Sequence, residues 1–194
     1  MKMPEQKLSR KALKTKKLIR NALAEFMKNK ALKDITVQEI ADKAEISRTT
    51  FYNYYFDVYD IYEQLEKEVL SELALLTLKF HEDTSADFGS ELLDYIIQNP
   101  EVFSMIFSPH VTGELRCKFT SMIEGVFRLI QTEKHSVDLK NIELDYLSAF
   151  WSSGCTAVID RWVNNGFSPS KEYIIKNLAE LNSCFEKMIT SHFD

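Results

Sequence analysis

The sequence predicts an all-α protein, because turn-forming residues are scarce and apolar residues recur at helical spacing. The 194 residues include only 5 glycines and 4 prolines, whereas sandwiches and barrels need turn residues at short intervals. Hydrophobic residues make up 45% and charged residues 27% of the chain, so it can bury a core. Apolar residues three and four positions apart line one side of successive segments. We therefore expect long helices joined by few loops.

The N-terminal part predicts one long helix followed by two short ones. Residues 8–29 place apolar side chains at helical steps and Lys and Arg on the other side. Thr36 and Glu39 have the spacing of a capping box at the start of a second helix. Ser47 is the natural N-cap of a third helix, which extends to Tyr54.

The remainder predicts a larger, antiparallel helical body. Asp57 is expected to cap a long helix that runs from Val58 to about residue 81. Three Asn-Pro or Ser-Pro pairs resemble helix starts, with a capping side chain followed by proline at the first helical position. Polar connections are expected at 82–90 and 132–141. Further helices are predicted near 92–97, 100–107, 112–132, 142–165 and 169–192.

The two parts differ in charge. Residues 1–55 carry 13 Lys and Arg against 6 Asp and Glu, a net of +7, while residues 56–194 carry a net of −12. A basic head on an acidic body suggests a polyanion partner for the head alone, although a solvated basic helix face would give the same count. We therefore predict a head domain over residues 1–55 and a body domain over residues 56–194.

The two short helices form a candidate helix-turn-helix, at about residues 34–56. Apolar and small residues lock the pair at a fixed angle, and short polar donors remain outside, suited to base edges and phosphates in a major groove. We assign Tyr55 and Phe56 to a hinge between head and body. The residues predicted to contact DNA are Thr36, Gln38, Ser47, Arg48, Thr49, Thr50, Tyr52, Asn53 and Tyr54.

The stretch from Ile35 to Tyr55, with its T-V-Q-E-I-A box and S-R-T-T-F-Y-N-Y block, closely resembles the DNA-binding domain of the TetR (tetracycline-repressor) family. The resemblance implies an all-helical homodimer with a three-helix head that releases its DNA operator on binding a ligand, usually a repressor. The segment from Phe150 to Pro169 resembles, more loosely, the C-terminal region of Gram-positive relatives. One position departs from the family pattern, because Val58 stands where a phosphate-contacting lysine is common. The cations Lys11, Lys14, Lys16 and Lys17 are expected to compensate by long-range attraction.

The last two helices predict a dimer interface built from four helices, two from each subunit. A dimer would also present two recognition helices about 34–36 Å apart, as a palindromic operator requires. Each apolar residue of this seam is equally compatible with packing inside one chain. The predicted interface residues are Leu147, Trp151, Val158, Ile174, Leu178, Leu181, Phe185 and Met188.

A small-molecule pocket is predicted in the body, where aromatic residues are dense. An apolar or aromatic effector, neutral or cationic, would suit an acidic body with few polar groups in the pocket. Such aromatic stretches more often form core than pocket. The predicted pocket residues are Phe103, Phe107, Phe119, Met122, Tyr146, Phe150 and Trp151.

Several other classes of protein are disfavoured. The sequence has no phosphate-binding glycine loop, nucleophile elbow or HExxH motif, so we predict no enzyme and no cofactor. Three separated cysteines and four scattered histidines offer no metal-site spacing, and the cysteines are expected to be buried in helices. No apolar run or signal peptide is present, which predicts a cytoplasmic protein without membrane contact. The alternative function is a helical co-regulator that acts through a protein partner with weak or no DNA binding of its own.

Overall fold

The structure, a computed structural model, describes residues 9–82, 88–110, 113–135, 138 and 142–193. Across these residues it contains nine α-helices and no strand, so the all-α prediction is confirmed. The helices are α1 (Arg10–Met27), α2 (Val37–Lys43), α3 (Arg48–Tyr52), α4 (Val58–Glu82), α5 (Phe88–Gln98), α6 (Pro100–Ile106), α7 (Glu114–His135), α8 (Ile142–Asn164) and α9 (Lys171–Phe193).

Local capping sets the geometry of the head. The Glu39 amide donates to Thr36 Oγ1 and the Thr36 amide donates to the Glu39 carboxylate, which completes the predicted capping box at α2. Between α2 and α3, Glu45 adopts a left-handed φ of 55°, and the Ile46 amide then donates back to the Ala41 carbonyl. This tight turn fixes the angle between the two short helices.

One apolar core runs from the head into the body. Ile19 and Leu23 of α1 pack into the same cluster as Phe51 of α3, Ile61 of α4 and Phe103 of α6. The core is therefore continuous across the predicted boundary between residues 55 and 56, which falls two residues before α4 begins. Head and body touch directly through α1 and α6.

Several helix boundaries differ from the sequence-based expectation. Helix α6 begins at Pro100 as expected, but the Asn99 side chain makes no capping bond and its amide nitrogen donates to the Tyr95 carbonyl. Pro109 does not begin a helix, since α7 starts only after Gly113 turns the chain at a φ of 76°. The last helix is capped by Ser170 rather than entered at Pro169.

The polar connections are shorter than expected. Helix α5 begins at Phe88, and α7 continues to His135, so both helices extend into the segments predicted as connections. Residues 83–87 of the first connection, and most of 136–141 in the second, lie outside the described residues.

The fold also tests the expectation that the three cysteines are buried. Cys117 and Cys184 are exposed and only Cys155 is mostly buried, so the prediction of three buried cysteines is wrong for two of them. Both exposed thiols lie on the outer sides of α7 and α9, which the sequence spacing alone did not distinguish. Within the described part of the chain, no helix has the length and apolar character needed to cross a bilayer.

Candidate functional site

Helix α3 presents a polar outer face on an apolar anchor. The Phe51 ring is fully buried beneath it and contacts the Tyr55 ring at a centroid distance of 6.0 Å. Four of the predicted DNA-contacting residues are exposed with no side-chain hydrogen bond to the rest of the described chain: Arg48, Thr49, Tyr52 and Asn53. A guanidinium, a hydroxyl with its methyl, a phenol and an amide are thus available to an external partner.

The other residues predicted to contact DNA at α3 make hydrogen bonds or packing contacts within the protein. Ser47 Oγ accepts the Thr50 amide at 3.0 Å and lies 2.9 Å from Thr50 Oγ1. Tyr54 is half-buried and packs against the core cluster. These three side chains therefore fix the shape of the recognition helix, and the four exposed residues carry most of its chemistry.

The polar groups at the start of α2 already make hydrogen bonds within the protein. Both the amide and the hydroxyl of Thr36 donate to Glu39 Oε2, at 3.0 and 2.9 Å. The Lys30 ammonium and these Thr36 donors lower the Glu39 pKa to about 2. To donate to a phosphate, the Thr36 hydroxyl must turn its hydrogen away from Glu39 Oε2, while its oxygen still accepts the Glu39 amide. The DNA contact of Thr36 stays a prediction. Gln38 is exposed, with its amide nitrogen donating to Asp42.

The two aromatic residues assigned to the hinge lie in different environments. Tyr55 is 1% exposed, and its hydroxyl accepts a hydrogen bond from Arg20 Nε at 3.2 Å. Burial raises the pKa of the Tyr55 phenol, so it stays neutral. Phe56, in contrast, is 82% exposed just before α4, and its amide donates to Asp60 Oδ2 at 2.8 Å. Sequence patterns missed Arg20, which also pairs with Glu68 at 2.6 Å.

Position 58 faces the core in this chain. Val58 is 4% exposed, so no phosphate contact comes from this residue. Of the four lysines expected to compensate, Lys16 donates to Gln64 and lies over the Tyr55 ring. The other three, Lys11, Lys14 and Lys17, are exposed on α1. Position 58 therefore contributes packing, and α1 contributes the accessible positive charge.

Helices α8 and α9 share an exposed face with large apolar side chains. Tyr146 and Phe150 are each 73% exposed, and Leu181 is 60% exposed. A groove of about 370 Å³ lies between the two helices, and its lining includes Ala157, Tyr173 and Leu181. Of the predicted interface residues, Leu181 and Met188 are exposed, Leu147, Trp151, Val158, Leu178 and Phe185 are half-buried, and Ile174 is buried.

The predicted pocket residues do not come together. Phe103, Phe107 and Phe119 are buried against one another in the core cluster, with ring centroids 5.7–6.5 Å apart. Tyr146 and Phe150 lie on the outer side of α8, because they share a helical face with the exposed Ile142. Met122 lines a surface groove against α4, and Trp151 lines a separate cavity. Our expectation of a single cavity walled by these seven residues is therefore wrong.

A helix-turn-helix head with an exposed polar recognition helix, joined to a larger helical body, defines a one-component transcription regulator. Comparisons with known proteins agree with this class. A TetR-family model described as "Transcriptional regulator C-terminal region" matches residues 83–183, more than half of the chain. The chain belongs to the TetR family of transcriptional regulators. TetR-family regulators bind DNA, typically dimerise and are generally not enzymes.

Individual relatives are more distant. The chain is 27% identical over 174 residues to the uncharacterized HTH-type transcriptional regulator YxbF of Bacillus subtilis (strain 168). That match covers 85% of this chain and 44% of the relative, so the chain spans less than half the length of YxbF.

Two solved structures share the fold. A TetR transcriptional regulator from Streptococcus agalactiae 2603V has a TM-score of 0.57 at 19% identity, over 93% of this chain and 96% of that one. The dihydroxyacetone kinase operon activator DhaS has a TM-score of 0.51 at 20% identity, over 92% and 96% of the two chains.

Proposed function

We propose that this regulator represses transcription by binding a palindromic DNA operator as a homodimer, and that a small aromatic or apolar effector releases it. The observation that carries the proposal is the exposed, unpartnered polar face of α3. Arg48 has the donors for bidentate pairing with guanine, Asn53 can address adenine, and the Thr49 methyl can meet a thymine methyl. Exposed lysines on α1 supply contacts to the phosphate backbone.

The homodimer is proposed to form through α8 and α9. Small residues Ser153 and Gly154 lie between the exposed Phe150 and Ala157 on α8. A two-fold axis near Gly154 would bring Phe150 of one subunit onto Ala157 of the other, at the groove between α8 and α9. Such a self-complementary contact suits a closed two-fold dimer. Nothing lies within 4 Å of a Cβ built at Gly154, so its surface is open to a second helix.

The test is a gel shift or anisotropy titration of the full chain on DNA upstream of its own and adjacent genes. Sequence-specific binding supports the proposal if the logarithm of the association constant falls linearly with the logarithm of the salt concentration. Binding only after a second protein is added supports the co-regulator alternative instead. A reporter gene then gives the direction of control. The structurally similar DhaS is described as an operon activator, so both directions of control must be distinguished. Repression requires that loss of the regulator raises the reporter output.

A further inference from the structure

A cavity of about 290 Å³ lies between the start of α5 and helices α7, α8 and α9. Its volume is close to the lower end of the usual range for ligand pockets, about 300–1,000 Å³. The rings of Phe127 on α7 and Trp151 on α8 stack at 4.5 Å with an angle of 23° between their planes. Val126 and Ile130 extend this apolar wall. A flat aromatic molecule is the shape that such a wall accepts best.

One polar group of the cavity is a buried acceptor without a donor among the described residues. Gln131 is 2% exposed, and its Nε2 donates to Glu186 Oε2 at 3.1 Å. A carboxylate only accepts hydrogen bonds, so the Gln131 amide must turn its nitrogen to Glu186 and its oxygen away. Among the described residues, nothing donates to Gln131 Oε1. A buried carbonyl oxygen without a donor is costly, and this one belongs to a residue that lines the cavity.

The charges of the cavity are balanced. The Lys134 ammonium lies 2.7 Å from Glu186 Oε1, and this contact lowers the Glu186 pKa against the effect of burial. The Trp151 indole N–H is also satisfied, because it donates to Asn182 Oδ1 at 2.7 Å. The charged groups of the lining, Lys134 and Glu186, are thus already paired with each other, which favours a neutral ligand over an ion.

We infer that this cavity binds a neutral, flat aromatic molecule that carries an N–H or O–H donor, with Phe127 and Trp151 holding the ring and Gln131 Oε1 accepting its hydrogen bond. This site specifies which effector the proposed function would use. Its role in regulation rests on the proposed function, whereas its ligand binding does not. Two further aromatic rings connect the cavity to the proposed dimer face. Phe185 lies 5.8 Å from Phe127 and stacks at 5.9 Å on Phe150, which is 73% exposed.

The chain's two tryptophans allow the site to be tested directly. Full-length protein with ¹⁵N-labelled tryptophan is titrated with indole and 2-naphthol, and with their donor-free partners 1-methylindole and 2-methoxynaphthalene. We expect the Trp151 indole signal to shift saturably, while that of Trp162, whose N–H donates to the Pro169 carbonyl beside the α8–α9 groove, stays in place. The donor-bearing probes should bind roughly tenfold more tightly, the loss expected for one buried hydrogen bond.

Two variants separate the role of Gln131 from a general change in the core. Gln131→Leu keeps the approximate volume and should make each probe bind about as well as its donor-free partner. Thr156→Val is the matched control, because Thr156 Oγ1 is also buried and without a described partner but does not line this cavity. This variant should keep the donor preference.

The inference is overturned by any of three results: no saturable shift of Trp151 with either donor-bearing probe, equal binding of the matched probes to the unaltered chain, or a preference that survives Gln131→Leu. These measurements contain no DNA. Their failure would leave operator binding untouched, and a failure of operator binding would leave the cavity's ligand preference standing.

Discussion

The hydroxyl of Ser108 donates to the main-chain carbonyl of Met27 over 2.8 Å, and so joins the end of α6 to the end of α1. The two residues are 81 positions apart, and the bond is buried. Because α1 supports the recognition helix and α6 belongs to the body, this bond holds the two parts in one relative position.

Replacing Ser108 by Ala should lower the free energy of unfolding by about 1–2 kcal/mol, because the buried Met27 carbonyl loses its side-chain donor and the His110 amide loses its acceptor. Urea unfolding followed by circular dichroism measures this change. Ser121→Ala, at an exposed position on α7, is the control and should change stability by less than about 0.5 kcal/mol. Equal stabilities of the two variants would show that the bond contributes nothing.

Removing the exposed chemistry of α3 should weaken operator binding without unfolding the head. Arg48→Ala and Tyr52→Ala are each expected to reduce affinity by roughly 10- to 100-fold, the usual cost of losing a base-edge contact. Anisotropy titration at fixed salt concentration gives the affinities, and thermal unfolding checks the fold. Lys176→Ala removes an exposed charge on α9, outside the head, and should leave the affinity for DNA unchanged. Undiminished binding by both α3 variants would move the DNA surface elsewhere.

The proposed dimer face can be tested at two of its strongly exposed apolar positions, Phe150 and Leu181. Phe150→Asp combined with Leu181→Asp should produce a folded monomer, because two charges would be buried in the proposed interface without partners. Leu75→Asp is the matched control, since Leu75 is 59% exposed on α4, outside that face. Sedimentation velocity distinguishes the species. Phe185 is a poorer target, because it also packs against Phe127 in the chain's own core.

The helices and the helix-turn-helix were predictable because their signals are local. Thr36 with Glu39, Ser47 and Asp57 cap the helices that follow them through contacts three residues apart. The cavity lined by Gln131 was not predictable in this way. Gln131 and Glu186 meet across 55 positions, and no spacing in the sequence marks that pair.

Helix α8 shows why aromatic density misled the pocket prediction. Its buried side is formed by Leu144, Ser148 and Ser152, which lie four residues apart, while Tyr146 and Phe150 follow the opposite, exposed side. In this part of the helix Tyr146 and Phe150 therefore face outward while Ser148 and Ser152 face the core, the reverse of what residue type alone suggests. Such an inversion is expected where a second subunit covers the outer face.

The capping box should make the head sensitive to acid. Folding lowers the Glu39 pKa from its ordinary value of 4.5 to about 2, through Lys30 and Thr36. A carboxylate with a depressed pKa stabilises the fold above pH 4.5, and this contribution is lost as the pH falls from about 4.5 to about 2.

Glu39→Gln should therefore be less stable than the unaltered chain at neutral pH and should lose less stability across that acidic window. Urea midpoints measured at closely spaced pH values follow both effects. Glu63→Gln, at an exposed position on α4, controls for the general loss of one negative charge. Parallel pH profiles for the Glu39 variant and the unaltered chain would contradict the assignment.

Thiol reactivity gives an independent measure of the dimer face. Burial raises the pKa of the Cys155 thiol to about 12, so Cys155 should react with a thiol reagent only after unfolding. Cys117 and Cys184 are both exposed in the single chain. Cys184 lies on α9 three residues after the exposed Leu181, within the proposed interface, whereas Cys117 lies on α7 outside it. In the dimer we therefore expect fast labelling of Cys117 and slow labelling of Cys184.

In the monomeric Phe150→Asp, Leu181→Asp variant, Cys184 should be labelled at least about tenfold faster and Cys117 at an unchanged rate. Mass spectrometry of the labelled peptides measures both rates. Equal rates for the two cysteines in the unaltered chain would place the interface away from α9.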